Sequence, residues 1–289
     1  MKTYLEQFCL VSASDEESFI LNFPYQLEMG CYTKDVYPFK IFPQKCLEKL
    51  EFEPITIFCG GNGSGKSTLL HLISQKLKIQ HISPWNRTPY FEDYLRSCRY
   101  HGEVPPTSKL LTSDDVFDYL LDIRSINEGV NQYRNALFDE YAQASKSHYQ
   151  MQTLDDYREL KRRNEAKRST KSVYVTRRLP KELSAKSNGE SAFSYFMNEI
   201  REDALYLLDE PENSLSPKLQ IELAAFLEES ARFYGCQLII STHSPFLLSM
   251  RGAKIYDLDH VPVESKKWTD LENMRIYYDF FKKHQNQFE

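Results

Sequence analysis

"PITIFCGGNGSGKSTLLHLISQKL", residues 54–77, is the stretch whose reading decides the fold. Ile55, Ile57 and Phe58 make a short β-rich apolar run. Gly60, Gly65, Lys66 and Ser67 then satisfy the pattern GxxxxGK[ST], and Leu69, Leu70, Ile73 and Leu77 follow at helical spacing. Strand, glycine-rich loop and helix stand in the order that a phosphate loop requires. The glycines let backbone N–H groups curl around a phosphate chain, and the helix N-terminus adds partial positive charge. The residues expected to surround a nucleotide are Gly60, Asn62, Gly63, Ser64, Gly65, Lys66, Ser67 and Thr68. Lys66 can reach the β- and γ-phosphates as a point charge, and the Ser67 hydroxyl can ligate Mg²⁺. The implied cofactors are ATP and Mg²⁺.

Such a loop needs acids from another strand, and "DALYLLDEPENSLSP" (203–217) supplies them. Leu205 to Leu208 read as a buried strand that runs into Asp209 and Glu210. Asp209 is expected in the Mg²⁺ shell, and Glu210 beside the γ-phosphate, where it orients or deprotonates the attacking water. Ser216 and Pro217 read as an N-cap and a first-turn proline. The helix they open carries Leu219, Leu223, Phe226 and Leu227 and ends near Gly235. "CQLIISTHSP" (236–245) is a further apolar strand, ending at Thr242 and His243. A histidine at the C-terminal end of a buried strand is placed to touch a γ-phosphate.

The composition bounds these readings. At 289 residues the chain can bury a full core as one large domain or two small ones, and its net charge of −5 gives no global reason to expect nucleic acid. Six scattered cysteines (Cys9, Cys31, Cys46, Cys59, Cys98, Cys236) show no paired spacing, which argues against a zinc site or a disulfide framework. The N-terminus lacks a signal-like apolar run. No segment approaches the roughly 20 apolar residues of a membrane helix. The expectation is a soluble protein of a reducing cytoplasm, without membrane insertion.

"SNGES", residues 187–191, completes the pattern. The following "GESAFSYFMNEI" (189–200) reads as a helix with Phe193, Phe196 and Ile200 inward. Ser187, Asn188, Gly189 and Glu190 then lie at its N-terminus, where a hydroxyl and free amides make an anion site. One phosphate loop already serves the chain's own nucleotide, so a second anion site suggests composite nucleotide sites.

With these motifs the chain resembles the ATP-binding-cassette type of P-loop ATPase. "GGNGSGKST" looks like its phosphate loop, "LLDEPE" like its Walker B with the adjoining glutamate, "STHSP" like its switch histidine and "SNGES" like its signature. "YPF" (37–39), "GES" and "DEPE…LSP" are closer still to the small stand-alone ATPases of bacteria, soluble relatives of the chromosome-maintenance and repair ATPases. The resemblance covers 37–77 and 183–260. It implies a head-to-tail dimer in which each signature caps the γ-phosphate held by a second copy. It also implies ATP hydrolysis that switches a partner or effector protein, in bacterial defence or DNA maintenance.

The chain departs from that family in three places. Asn188 replaces the first of two signature glycines, Ser216-Pro217 follows Leu215 where transporters carry Leu-Asp, and Gln75 and Gln80 come too early for a Q-loop glutamine. These departures weigh against the rival reading, the nucleotide-binding subunit of a membrane transporter. A second rival is a non-hydrolysing ATP sensor, which Glu210 argues against. Tyr37 and Phe39 stand near the place of an adenine-stacking aromatic, or belong to the core.

The expected fold is a single α/β P-loop domain over 1–289, with a loop-rich and helical lobe inserted at about 82–186. Residues 82–112 read as a loop-rich crossing. Ser113, Asp114 and Asp115 read as the cap of a helix carrying Val116, Phe117, Leu120 and Leu121. Within the lobe, 158–181 holds ten basic residues against two glutamates, a local charge of +8. It reads either as a solvated helix face or as a surface for nucleic acid or an acidic partner.

Overall fold

The computed structural model describes residues 2–21, 36–82, 88, 90–146, 175 and 187–288. These divide into two compact units, 1–117 with 188–289, and 118–187.

A six-stranded sheet organises the first unit, in the order β5-β6-β7-β3-β8-β9. Its strands are β3 (Ile55–Cys59), β5 (Lys109–Thr112), β6 (Leu205–Asp209), β7 (Gln237–Ser241), β8 (Lys254–Asp257) and β9 (Glu264–Lys266). β5, β6, β7, β3 and β8 run parallel, and β9 closes one edge antiparallel. Every residue of β3 and β7 is buried, as strands covered on both faces require, which is why their sequences are near-continuous apolar runs. Because the strands are parallel, the turns after β3, β6, β7 and β8 all open at one edge of the sheet.

Helix α2 (Lys66–Leu77) buries Leu69, Leu70, Leu72 and Ile73 in a core shared with Phe58 of β3. The same core takes Leu5, Phe8 and Leu50 from a second, antiparallel sheet of β2-β1-β4, and Phe91, Tyr94 and Leu95 from α3. Here β1 is Leu5–Cys9, β2 is Lys49–Glu51, β4 is Arg99–Gly102 and α3 is Phe91–Ser97; α1 (Ala13–Leu21) follows β1. Gln237 of β7, fully buried, joins the two sheets. Its Oε1 accepts from the N–H groups of Tyr4 and Leu5, both at 2.8 Å, and its Nε2 donates to Leu5 O at 2.8 Å. The side-chain amide thus does the work of a missing strand.

Two sequence expectations change. Residues 91–112 are not a loop-rich crossing. They hold α3, β4 and β5, and β5 extends the central sheet. The second compact unit spans 118–187. The long helix α4 (Ser113–Lys146) is capped one residue earlier than expected, by Thr112. Thr112 Oγ1 accepts from Asp115 N–H at 3.2 Å and Asp115 Oδ2 accepts from Thr112 N–H at 2.8 Å, the reciprocal pair of a capping box. Val116 and Leu120 are buried, four apart, whereas Phe117 and Leu121 are exposed. Within the second unit, Leu137 and Val175 form a small buried cluster with Phe138 and Tyr141. The basic segment 158–181 lies outside the described residues, apart from Val175.

The remaining helices are α5 (Asn188–Glu199), α6 (Pro217–Phe233), α7 (Pro245–Leu248) and α8 (Glu272–Lys283). In α5, Phe196 is buried with Ala192 and Tyr195, Ile200 follows just beyond its end, and Phe193 is half-buried. Ser216 caps α6 as expected, its hydroxyl accepting from Leu219 N–H at 3.4 Å. No helix among the described residues is long and apolar enough to cross a membrane.

Candidate functional site

The phosphate loop leaves β3 at Cys59 and enters α2 at Lys66. Gly65 precedes the helix at φ +100°, a conformation that a side chain would strain, and a Cβ there would press on Phe42 and Ile41 at 3.2–3.3 Å. At Gly60 the constraint is space, since a Cβ would come within 2.7 Å of Ser64 Oγ. Asn62, Gly63 and Ser64 lie along this loop, and Thr68 lies in the first turn of α2. The loop's other flank is held by an acid that sequence reading missed. Asp259, two residues past β8, accepts from Gly61 N–H at 2.6 Å.

Lys66 is buried. Its Nζ donates to Gly60 O at 2.8 Å and Gly61 O at 3.2 Å, and lies 2.7 Å from His243 Nε2. An ammonium has no lone pair, so the imidazole nitrogen accepts. Glu210 Oε1 stands 3.9 Å from the ammonium and 3.5 Å from the same imidazole nitrogen. Lys66, Glu210 and His243, named from three separate motifs, therefore meet at one point. The sheet order explains it: β7 lies between β3 and β6, so the turn bearing His243 falls between the phosphate loop and the acid pair.

Glu210 adopts φ +48°, a sparsely populated conformation for a non-glycine residue. The turn is fixed by Glu210 N–H, which donates to Ser241 O at 3.0 Å. Asn213 Nδ2 donates to Glu210 Oε2 at 3.1 Å, leaving Oε1 toward Lys66 and His243. Asn213 and Ser241 were not singled out in the sequence, although both lie within motifs that were.

Ser67 Oγ donates to Asp209 Oδ1 at 3.1 Å, and Ser241 Oγ donates to the same oxygen at 2.5 Å. Burial pushes the Asp209 carboxyl above its ordinary value, and these two hydroxyls oppose the rise. A hydroxyl and a carboxylate oxygen in contact are the hard oxygen donors that suit Mg²⁺, an ion that keeps several waters and takes few protein ligands. The pair fits the ion expected there. No cluster of three or more histidine, cysteine, aspartate or glutamate side chains suited to a metal occurs among the described residues.

Of the signature-like residues, Asn188, Gly189 and Glu190 form the first turn of α5, and Ser187 precedes it. A Cβ on Gly189 would meet Leu219 Cδ1 at 3.0 Å and Ser214 O at 3.3 Å, so this glycine is backed by the first turn of α6 and the segment before it rather than by its own phosphate loop. Phe39 is a core residue, stacked on Phe19 at 4.7 Å and edge-on to Tyr94 at 4.9 Å. Tyr37 is half-buried, and its hydroxyl lies 3.3 Å from Thr68 Oγ1. A cavity of about 160 Å³ opens beside Cys59, lined by Asp257, Asp259, Asp270, Glu272 and Lys266. Four carboxylates against one lysine repel phosphate, so this cavity is not the phosphate site.

Residues 122–249 match the family model described as "AAA domain, putative AbiEii toxin, Type IV TA system". No curated protein is similar enough to count as a relative. Among solved structures, the chain is similar to an Smc head domain with an extended coiled coil, bound to the C-terminal domain of ScpA, from Pyrococcus furiosus. The identity is 14%, the TM-score 0.40, and the match covers 80% of this chain and 94% of that one. It is also similar to a dimeric ATP-binding cassette bound to ADP and Pi in a post-hydrolysis state. There the identity is 14%, the TM-score 0.36, and the coverage 76% of this chain and 88% of that one. TM-scores of this size carry no functional weight. The family match runs across β6 and β7, and β7 pairs directly with the strand that launches the phosphate loop.

Proposed function

We propose that the protein binds Mg-ATP, hydrolyses it, and pairs with a second copy of itself around the nucleotide. The observation that carries this reading is the convergence of Lys66, Glu210 and His243 within 4 Å, beside the Ser67–Asp209 contact. Ser67 and Asp209 would hold Mg²⁺, which when bound neutralises charge on the β- and γ-phosphates. Lys66 supports those phosphates through its ammonium. Glu210, turned by its backbone and steadied by Asn213, orients the attacking water and accepts its proton. His243, just past the end of β7 and within reach of Lys66, would hydrogen-bond to the γ-phosphate. Gly60, Asn62, Gly63, Ser64, Gly65 and Thr68 supply the loop that follows the phosphate chain.

Ser187, Asn188, Gly189 and Glu190 would serve the partner copy, because a second anion site at a helix start is not needed by the chain's own loop. ATP then acts as the glue of a conformational switch, and hydrolysis releases it. The output falls on an effector or partner protein in the cytoplasm, in a defence or DNA-maintenance role.

The test is steady-state ATP hydrolysis alongside nucleotide binding. Glu210→Gln should keep ATP affinity and lose about a hundredfold or more of the turnover, the scale set by loss of a general base. Lys66→Ala should weaken nucleotide binding itself. Normal turnover in Glu210→Gln would rule out the assigned base.

A further inference from the structure

Three residues beyond Asp209, a third acid is turned into the protein rather than out to solvent. Glu212 Oε1 accepts from His243 N–H at 2.6 Å, and its Oε2 is buried. Burial pushes this carboxyl above its ordinary value, and the His243 N–H opposes the rise. A buried carboxylate is costly and needs a reason. Its position supplies one, because the hydrogen bond falls on the backbone of the residue whose side chain reaches Lys66 and Glu210.

The next residue is held from the same side. Ser244 Oγ donates to Gln220 Oε1 at 2.7 Å, and Gln220 Nε2 donates to Leu215 O at 2.9 Å. Ser244 N–H donates to Thr242 Oγ1 at 2.9 Å. The turn after β7 is therefore pinned at two consecutive residues, to Glu212 before α6 and to Gln220 within it. Glu212 provides the pin nearest the chemistry.

We propose that Glu212 is a positioning residue, which fixes the His243 main chain so that its imidazole stays within reach of Lys66 and Glu210. This rests on the reading that His243 works in ATP hydrolysis. The acid acts through its hydrogen bond to the His243 main-chain N–H, and an acceptor oxygen at that point is what the function requires. A misplacement of about 1 Å in such a group is enough to cost a large factor in rate.

The experiment compares Glu212→Ala and Glu212→Gln, alone and combined with His243→Ala. Glu212→Ala removes the acceptor and should lower kcat about tenfold or more, leaving the KM for ATP within about twofold. Glu212→Gln keeps an acceptor oxygen and should restore most of the rate. In a His243→Ala background, Glu212→Ala should lower kcat no further, because the group it positions is gone. Equal loss in the Ala and Gln variants, or an additive loss with His243→Ala, would overturn the proposal. A second readout does not depend on turnover: the imidazole resonance of His243 by NMR. It should stay at its native position in Glu212→Gln and move in Glu212→Ala. An unmoved resonance in a folded Glu212→Ala protein overturns the positioning role. A wild type that hydrolyses no ATP overturns the functional reading instead.

Discussion

Burial lifts the Asp209 carboxyl above its ordinary value, while hydroxyls from Ser241 and Ser67 each donate to Oδ1 and pull it back. The balance remains upward, so the folded protein holds that proton more tightly than the unfolded chain does. A raised carboxyl contributes its full stability below the unfolded value and loses it as pH rises through the folded one. At neutral pH the ionised Asp209 is therefore a cost, of the kind a metal-binding site retains for function. Asp209→Asn keeps an acceptor for both hydroxyls and carries no charge to bury. It should melt at a higher temperature than the wild type at pH 7, and the difference should shrink as pH falls through the folded value. Mg²⁺-dependent nucleotide hydrolysis should be lost in the same variant. A calorimetric series from neutral to acid pH in the absence of Mg²⁺ checks the sign, and a lower melting temperature at pH 7 would refute it.

The elements differ in how far they could be read from sequence, and the reason is range. β3, β6 and β7 are continuous apolar runs because they are covered on both faces, and α2 follows a motif that fixes its start. For the same reason Lys66, Asp209, Glu210 and His243 were legible as a group: each sits at or shortly after a strand end, in a motif marked by local sequence. β1, β2 and β4 were not. They are short and bury few residues, Leu5 and Phe8 in β1, Leu50 in β2 and none in β4, and β1 is anchored by Gln237, far along the chain. Asp259 and Glu212 were missed because their partners, Gly61 and His243, come from other loops. The start of α4 is a subtler case. Three polar residues invite a cap at Ser113, yet the reciprocal bonds run between Thr112 and Asp115. Thr112→Ala should destabilise the protein by about 1 kcal/mol in urea unfolding, the usual cost of a lost N-cap. Ser113→Ala should fall within about 0.5 kcal/mol of wild type. Reversed values would return the cap to Ser113.

Taken whole, the molecule presents its phosphate loop at the C-terminal edge of one sheet, and its second candidate anion site at the start of α5. Gly189 is backed by Ser214 and Leu219, which places the signature-like turn against the segment that leaves the acid pair. If that turn caps a nucleotide on a second copy, its loss should spare binding to the monomer, whose own loop is intact. ATP-driven pairing should disappear, because the γ-phosphate then has no partner across the interface. Glu210→Gln is the background for this test, since it should retain ATP and form dimers with ATP but not with ADP. Adding Ser187→Arg puts a bulky cation where a hydroxyl and amides should meet phosphate. Light scattering should then report monomers in both nucleotides. Mixing this protein with Lys66→Ala subunits should recover some dimer, because the first supplies a working loop and the second a normal signature, giving one complete composite site. ATP-dependent dimers that persist undiminished in the Ser187→Arg protein would reduce residues 187–190 to a loop leading into a helix, and would leave the pairing surface to be sought elsewhere.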